Sequence, residues 1–326
     1  MSHWFRVYVP IALLTLPCFP AKAQPTSFQG PIVGFVFSGA SKTVRPLLGI
    51  AGATHLERAI LNRVDSASIA PGGKWAFVTR AGHAAFVGGL TASAPAESSI
   101  DGLIDQVDRV VWNRDGSFAL LYSSSGSRMQ RVRFSGSAPV ADAPVDLAPW
   151  GSVTTLAIDP AGQQIAVGFA ASGLYLFEMG QSPALLLSIA NPAAAVFDAS
   201  GQSLFAIDTD AHRIVQFQSG SGVSEFASLV QPNGPALTPT GLAVSDNGRY
   251  LLLADSATRS IFVYETNSAL LANTIPLSFT PSRFEALSAG PVLILNGNDP
   301  KEWLLILDAS QVPAVYFVPA KGEERR

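Results

Sequence analysis

Leu156-Ala-Ile-Asp-Pro-Ala-Gly162 is followed at once by Gln163 and the apolar run Ile165-Ala-Val167. A short apolar segment, a break rich in Asp, Pro and Gly, and a second apolar segment read as a β-hairpin. The same phrase recurs as Ala67-Ser-Ile-Ala-Pro-Gly-Gly73, Val110-Val-Trp-Asn-Arg-Asp-Gly116, Ala195-Val-Phe-Asp-Ala-Ser-Gly201 and Leu242-Ala-Val-Ser-Asp-Asn-Gly248. Successive closing glycines are 43, 46, 39 and 47 residues apart, and a fainter copy at Phe284 to Gly290 follows after another 42. A period of about 40–45 residues is that of a propeller blade.

The columns of this alignment have physical meaning. Four residues before the glycine stand Ile69, Trp112, Ile158, Phe197 and Val244, and six before it stand Ala67, Val110, Leu156, Ala195 and Leu242. Positions two apart share one face of a strand. The intervening column, Ser68, Val111, Ala157, Val196 and Ala243, is small or β-branched, so both faces can pack. The glycine supplies positive φ at the turn. A second strand follows it, such as Trp75-Ala-Phe-Val78 or Tyr250-Leu-Leu-Leu253. A third comes after a short turn, such as Ile214-Val-Gln-Phe217, Ile261-Phe-Val-Tyr264 or Trp303-Leu-Leu-Ile-Leu307. A more polar fourth, such as Ala184-Leu-Leu-Leu187, closes the unit. No long stretch has helical periodicity. The expected fold is all-β, a propeller of four-stranded antiparallel blades. Six hairpins are visible. The strands Ile32–Phe37 and Val44–Ile50 precede them, either as the outer part of a further blade or as the completion of the last. Seven blades are favoured, with six the alternative, because a ring must close its sheet edges.

Phe205-Ala-Ile-Asp-Thr-Asp-Ala-His-Arg-Ile-Val-Gln-Phe217 resembles an NHL repeat, and Leu242 through Asp255 is similar to the repeats of YVTN-type and TolB-type bacterial surface propellers. Asp208 and Asp255 both stand seven residues after their glycine. The resemblance spans roughly residues 60 to 310 and implies an exported bacterial propeller. Lactonases and gluconolactonase-like hydrolases share this repeat pattern, which implies as an alternative a divalent cation held at the channel mouth to polarise a carbonyl.

The first residues carry a secretory signature. Arg6 is followed by an apolar run from Val7 to Phe19, and Ala21-Lys22-Ala23 offers a cleavage site, making Gln24 the first mature residue. The run is shorter than the roughly 20 residues of a spanning helix and contains Pro10 and Pro17. Residues 1–23 are therefore expected as a signal peptide and 24–326 as one propeller domain, periplasmic or secreted, without a membrane span and monomeric. Cleavage removes Cys18, the only cysteine, and takes the net charge from −3 to −5. Thiol chemistry and disulfides go with it. Charged residues make up only 14%, against about 25% in typical domains. A mildly acidic, charge-poor chain lacks the field that draws in nucleic acid.

Chemistry-bearing clusters are few. His55, His83 and His212 fall in different units without metal-ligand spacing, so neither a metal nor a cofactor is expected. Asp101, Asp105 and Asp108 do not match a calcium loop. There is no phosphate-binding glycine loop and no nucleophile elbow. Arg131 and Arg133, two apart on one strand, read as an exposed basic edge. The expectation is a non-catalytic binding or scaffold module whose partner is a protein or glycan. Its contact surface is assigned to Asp208, His212, Arg213, Asp255 and Arg259, which occupy equivalent turns of adjacent units.

Overall fold

A computed structural model describes residues 30–318 except 93, 136–137, 179, 231–235, 289, 291, 296–303 and 311, so the signal sequence and its cleavage site lie outside the described residues. The chain forms seven antiparallel sheets, each built from a contiguous segment. Sheet 1 holds β1 (Ile32–Ser38), β2 (Thr43–Ile50), β3 (Ala53–Leu56) and β4 (Leu61–Asn62). Sheet 2 holds β5 (Ser66–Ile69), β6 (Trp75–Arg80), β7 (His83–Gly88) and β8 (Ala96–Ser98). Sheet 3 holds β9 (Arg109–Trp112), β10 (Phe118–Ser123), β11 (Arg128–Arg133), β12 (Val140–Ala141) and β13 (Val145–Asp146). Sheet 4 holds β14 (Val153–Ile158), β15 (Gln164–Phe169), β16 (Gly173–Glu178) and β17 (Ala184–Leu187). Sheet 5 holds β18 (Pro192–Phe197), β19 (Ser203–Asp208), β20 (Arg213–Gln218) and β21 (Gly222–Ser228). Sheet 6 holds β22 (Pro239–Val244), β23 (Tyr250–Asp255), β24 (Ser260–Glu265) and β25 (Leu271–Pro276). Sheet 7 holds β26 (Glu285–Ala286), β27 (Val292–Ile294), β28 (Leu304–Asp308) and β29 (Ala314–Val318).

The expected hairpins form as read. In sheets 2 to 6 the residue three before each glycine donates its backbone N–H across the turn, as Asp159 does to Gln164 at 2.9 Å and Ser245 to Tyr250 at 2.8 Å. The glycine N–H closes back on the same residue's carbonyl. Gly73, Gly116, Gly162, Gly201 and Gly248 all have φ between 67° and 72°, a region costly for any residue with a Cβ. The sixth copy is confirmed by Leu287 N–H donating to Val292 O at 3.0 Å.

Seven apolar clusters fill the spaces between consecutive sheets. Phe35, Val44 and Leu61 of sheet 1 meet Ile69 and Val78 of sheet 2. Around the ring, Leu120 and Met129 meet Leu156 and Val167 between sheets 3 and 4, and Phe205 and Ile207 meet Leu251 and Leu253 between sheets 5 and 6. The last cluster joins Val36 and Leu47 to Leu287, Ile294 and Val318, packing sheet 7 against sheet 1. The ring is thereby closed by side-chain burial, and the architecture is a seven-bladed β-propeller.

Sheet 1 resolves the open question about blade number. Its four strands arise because β3 and β4 both pair with β2. Its first turn carries positive φ at Lys42, as the turns between second and third strands do at Ser127, His212 and Arg259. Gly73 packs on Phe35 as Gly162 packs on Phe118. So β1 corresponds to the second strand of the other sheets, and among the described residues no strand pairs with its inner edge. The glycine turns of sheets 2 and 7 close over that position, with Gly72 N–H donating to Leu287 O at 3.4 Å.

Candidate functional site

The inner strands β5, β9, β14, β18, β22 and β26, together with Phe37 from β1, enclose a central channel of about 640 Å³. Ser66, Ser68, Arg109, Trp112 and Glu285 are among its lining side chains. At the end bearing the glycine turns, Arg114 of sheet 3 reaches Asp246 of sheet 6, donating to both its carboxylate and its backbone carbonyl. These sheets lie on opposite sides of the ring, so the pair spans the channel at that end.

Four carboxylates line the channel, and each has a separate partner. Asp108 accepts from Ser124 N–H at 2.7 Å and from its hydroxyl. Asp198 accepts from Ser203 N–H at 3.2 Å and from Ser200 Oγ at 2.8 Å. Asp246 is held by Arg114, and Glu285 accepts from Arg283 at 2.9 Å. Among the described residues no three His, Cys, Asp or Glu side chains converge as a cation site. Each of the four carboxylates is directed at its own donor.

A cleft of about 450 Å³ between sheets 3 and 4 shares Asp108 and Arg109 with the channel. Arg109 donates to Thr154 O at 3.3 Å and sits 5.7 Å from the centre of the Tyr122 ring. Burial, and then the charge of Asp108, raise the Tyr122 phenol above its ordinary pKa. Trp112 donates from Nε1 to Ser68 Oγ at 3.0 Å while packing edge-on to Phe86, so this core residue also faces the channel.

The residues picked from sequence occupy the expected equivalent turns, β19–β20 and β23–β24, but divide into two kinds. Asp208 and Asp255 are buried. Asp208 accepts from Ala211 N–H at 3.1 Å and from Arg213 Nε at 3.1 Å. Asp255 accepts from Thr258 N–H at 2.7 Å and its Oγ1 at 2.6 Å, and from Thr238 N–H. These carboxylates cap their own turns. His212 and Arg259 are exposed, with positive φ of 48° and 52°. Arg213 is partly covered between Asp208 and Glu225.

The basic edge read from Arg131 and Arg133 is different in the folded chain. Arg131 is 9% exposed; it donates to Asp142 at 2.6 Å and to Gly162 O of the next sheet, with its guanidinium over Phe118. It ties sheet 3 to sheet 4, and only Arg133 faces solvent. The Arg114–Asp246 pair escaped the sequence reading because its members are 132 residues apart. Its one visible trace is that Arg114 and Asp246 occupy the same column, two before the glycine.

No family model matches the chain, and no curated protein sequence matches it. Solved structures do. A protein from Bacteroides uniformis described as a "putative 6-phosphogluconolactonase" superposes with a TM-score of 0.59 at 14% identity, over 88% of this chain and 98% of that one. The β-propeller domain of Cps50 (Swd1) from Myceliophteria thermophila superposes with a TM-score of 0.53 at 11% identity, over 83% of this chain and 95% of that one. At such identities the likeness is one of fold.

Proposed function

We propose that the protein is an exported, non-catalytic propeller of the NHL, YVTN and TolB repeat type, which binds a protein or glycan partner through the face carrying the turns between second and third strands. One observation carries this reading. The channel carboxylates and the repeat-equivalent acids Asp208 and Asp255 are each engaged by a neighbouring donor, while His212 and Arg259 stand exposed in equivalent turns of adjacent sheets. A rigid frame that presents such loops suits recognition. The test is capture of envelope proteins and glycans by the chain and by a His212→Ala, Arg259→Ala double variant. The expected result is a partner retained by the first and lost by the second; equal capture by both would overturn the assignment of this face.

The likeness in fold to the Bacteroides protein favours the alternative, a hydrolase acting on lactones with a divalent cation at the channel mouth. Calorimetric titration with calcium separates the two readings. Stoichiometric tight binding, lost on Glu285→Gln or Asp108→Asn, supports the hydrolase.

A further inference from the structure

The central channel has two unlike halves. Short of its glycine-turn end, every polar side chain among the described residues that line it comes from sheets 7, 2 and 3. These sheets follow one another around the channel because sheet 1 brings only Phe37 to it. Sheets 4, 5 and 6 line the other half with Leu156, Ala157, Val196, Leu242 and Ala243. In the column five before the glycine, Ala157, Val196 and Ala243 of that half answer to Ser68 and Glu285 of the polar one.

The polar half has donors to spare and no free pair of acceptors. Glu285 is engaged by Arg283 at 2.9 Å, and Asp108 by Ser124. Ser68 Oγ accepts from Trp112 Nε1 at 3.0 Å, which leaves its own O–H to donate. Arg109 is half-buried and, among the described residues, donates only to Thr154 O, at 3.3 Å. Most of its N–H groups are thus left without a protein acceptor. Three arginines stand against four carboxylates in the whole lining, so the channel does not draw in an anion.

A volume of about 640 Å³ lies within the roughly 300–1,000 Å³ of small-molecule sites, which pair apolar walls with a few placed polar groups. We propose that the channel binds an uncharged, largely apolar small molecule that carries a carbonyl acceptor. Its body lies against sheets 4 to 6, and its carbonyl accepts from Arg109 and the Ser68 hydroxyl on the adjacent inner strands. The apolar wall is then withdrawn from water, and the spare donors gain an acceptor without a second charge entering. No bond is made or broken and no cation is needed. The site is separate from the outer turns at His212 and Arg259, so its test and theirs fail independently.

The experiment is fluorescence titration of the chain from residue 24 onward with Nile red, an uncharged fused-ring dye with a ring carbonyl. The expected result is one dye bound per chain with blue-shifted emission, and a thermal unfolding midpoint that rises at saturation because the dye binds the folded state. Arg109→Leu weakens binding about tenfold. Val196→Thr, which changes the polarity of the apolar wall and hardly its shape, also weakens it. Ile50→Asp with Leu270→Asp, both on exposed outer positions, leaves it unchanged. Unfolding scans of the dye-free variants show whether each fold is intact, and Val196→Thr carries the test if Arg109→Leu does not fold. Three results would overturn the proposal: no binding that raises the midpoint, binding lost in the outer pair but kept in the channel variants, or tighter binding of the anionic dye 8-anilinonaphthalene-1-sulfonate at the same site.

Discussion

Asn113, Asp159, Asp198 and Ser245 show how much of this fold is written in single side chains. Each stands three before its glycine and accepts a backbone N–H from the start of the following strand: Phe118 at 2.8 Å, Gln164 at 2.9 Å, Ser203 at 3.2 Å and Tyr250 at 2.9 Å. A buried N–H left without its acceptor costs about 1–3 kcal/mol. Asp159→Ala is therefore expected to lower stability by about 1–3 kcal/mol in urea unfolding. Asn113→Ala should cost at least as much, because Asn113 also donates to Pro160 O at 2.8 Å and so joins sheets 3 and 4. Ala70 fills this column in sheet 2 and offers no acceptor. The turn chemistry was legible in the sequence as a run of Asp, Asn and Ser before glycine. That Asp208 and Asp255 would be consumed in the same way was not, because an acid at a turn reads alike whether it faces inward or outward.

At the scale of strands and sheets, stability sits in the interfaces between sheets. Leu47 is fully buried where sheet 7 meets sheet 1, in the cluster that closes the ring. Leu47→Ala is expected to cost about 2–5 kcal/mol and, because sheets 7 and 1, unlike sheets consecutive in sequence, are not joined by a connecting segment of chain, to open the ring there first. Hydrogen exchange checks this: β1, β2 and β29 should lose protection before β15 or β23. The junction of sheets 5 and 6 has its own pH signature. Tyr264 lies in that cluster and packs edge-on to Phe226, with its phenol raised above 10.0 by burial and then by Asp255. The buried form is the neutral one, so its contribution is complete below pH 10.0 and falls away as pH rises through the higher folded value. Thermal scans across the alkaline range should show a loss of stability that Tyr264→Phe largely removes. The four-strand repeat was readable because strands and turns answer to local rules. The place of Ile32–Phe37 was not, because two strands without a glycine hairpin fit either end of a ring.

On the scale of the whole molecule, the two faces differ. One carries the charged turns between second and third strands and the cleft between sheets 3 and 4. The other carries the glycine turns and the Arg114–Asp246 span. If the chain is exported as the N-terminal sequence suggests, the mature protein begins at Gln24, which N-terminal sequencing of the envelope or secreted fraction checks. Retention of Met1 would remove the compartment from the functional proposal and leave the fold untouched.

The sequence by itself determined the repeat: alternation of period two, a glycine where φ must be positive, and spacings of 39 to 47 residues are properties of neighbours along the chain. Only the tertiary structure decided that Arg131 would be buried between sheets and that Arg114 would find Asp246. Those outcomes depend on where closure of the ring brings distant segments together, and closure is a balance of seven apolar interfaces that no single stretch of chain contains.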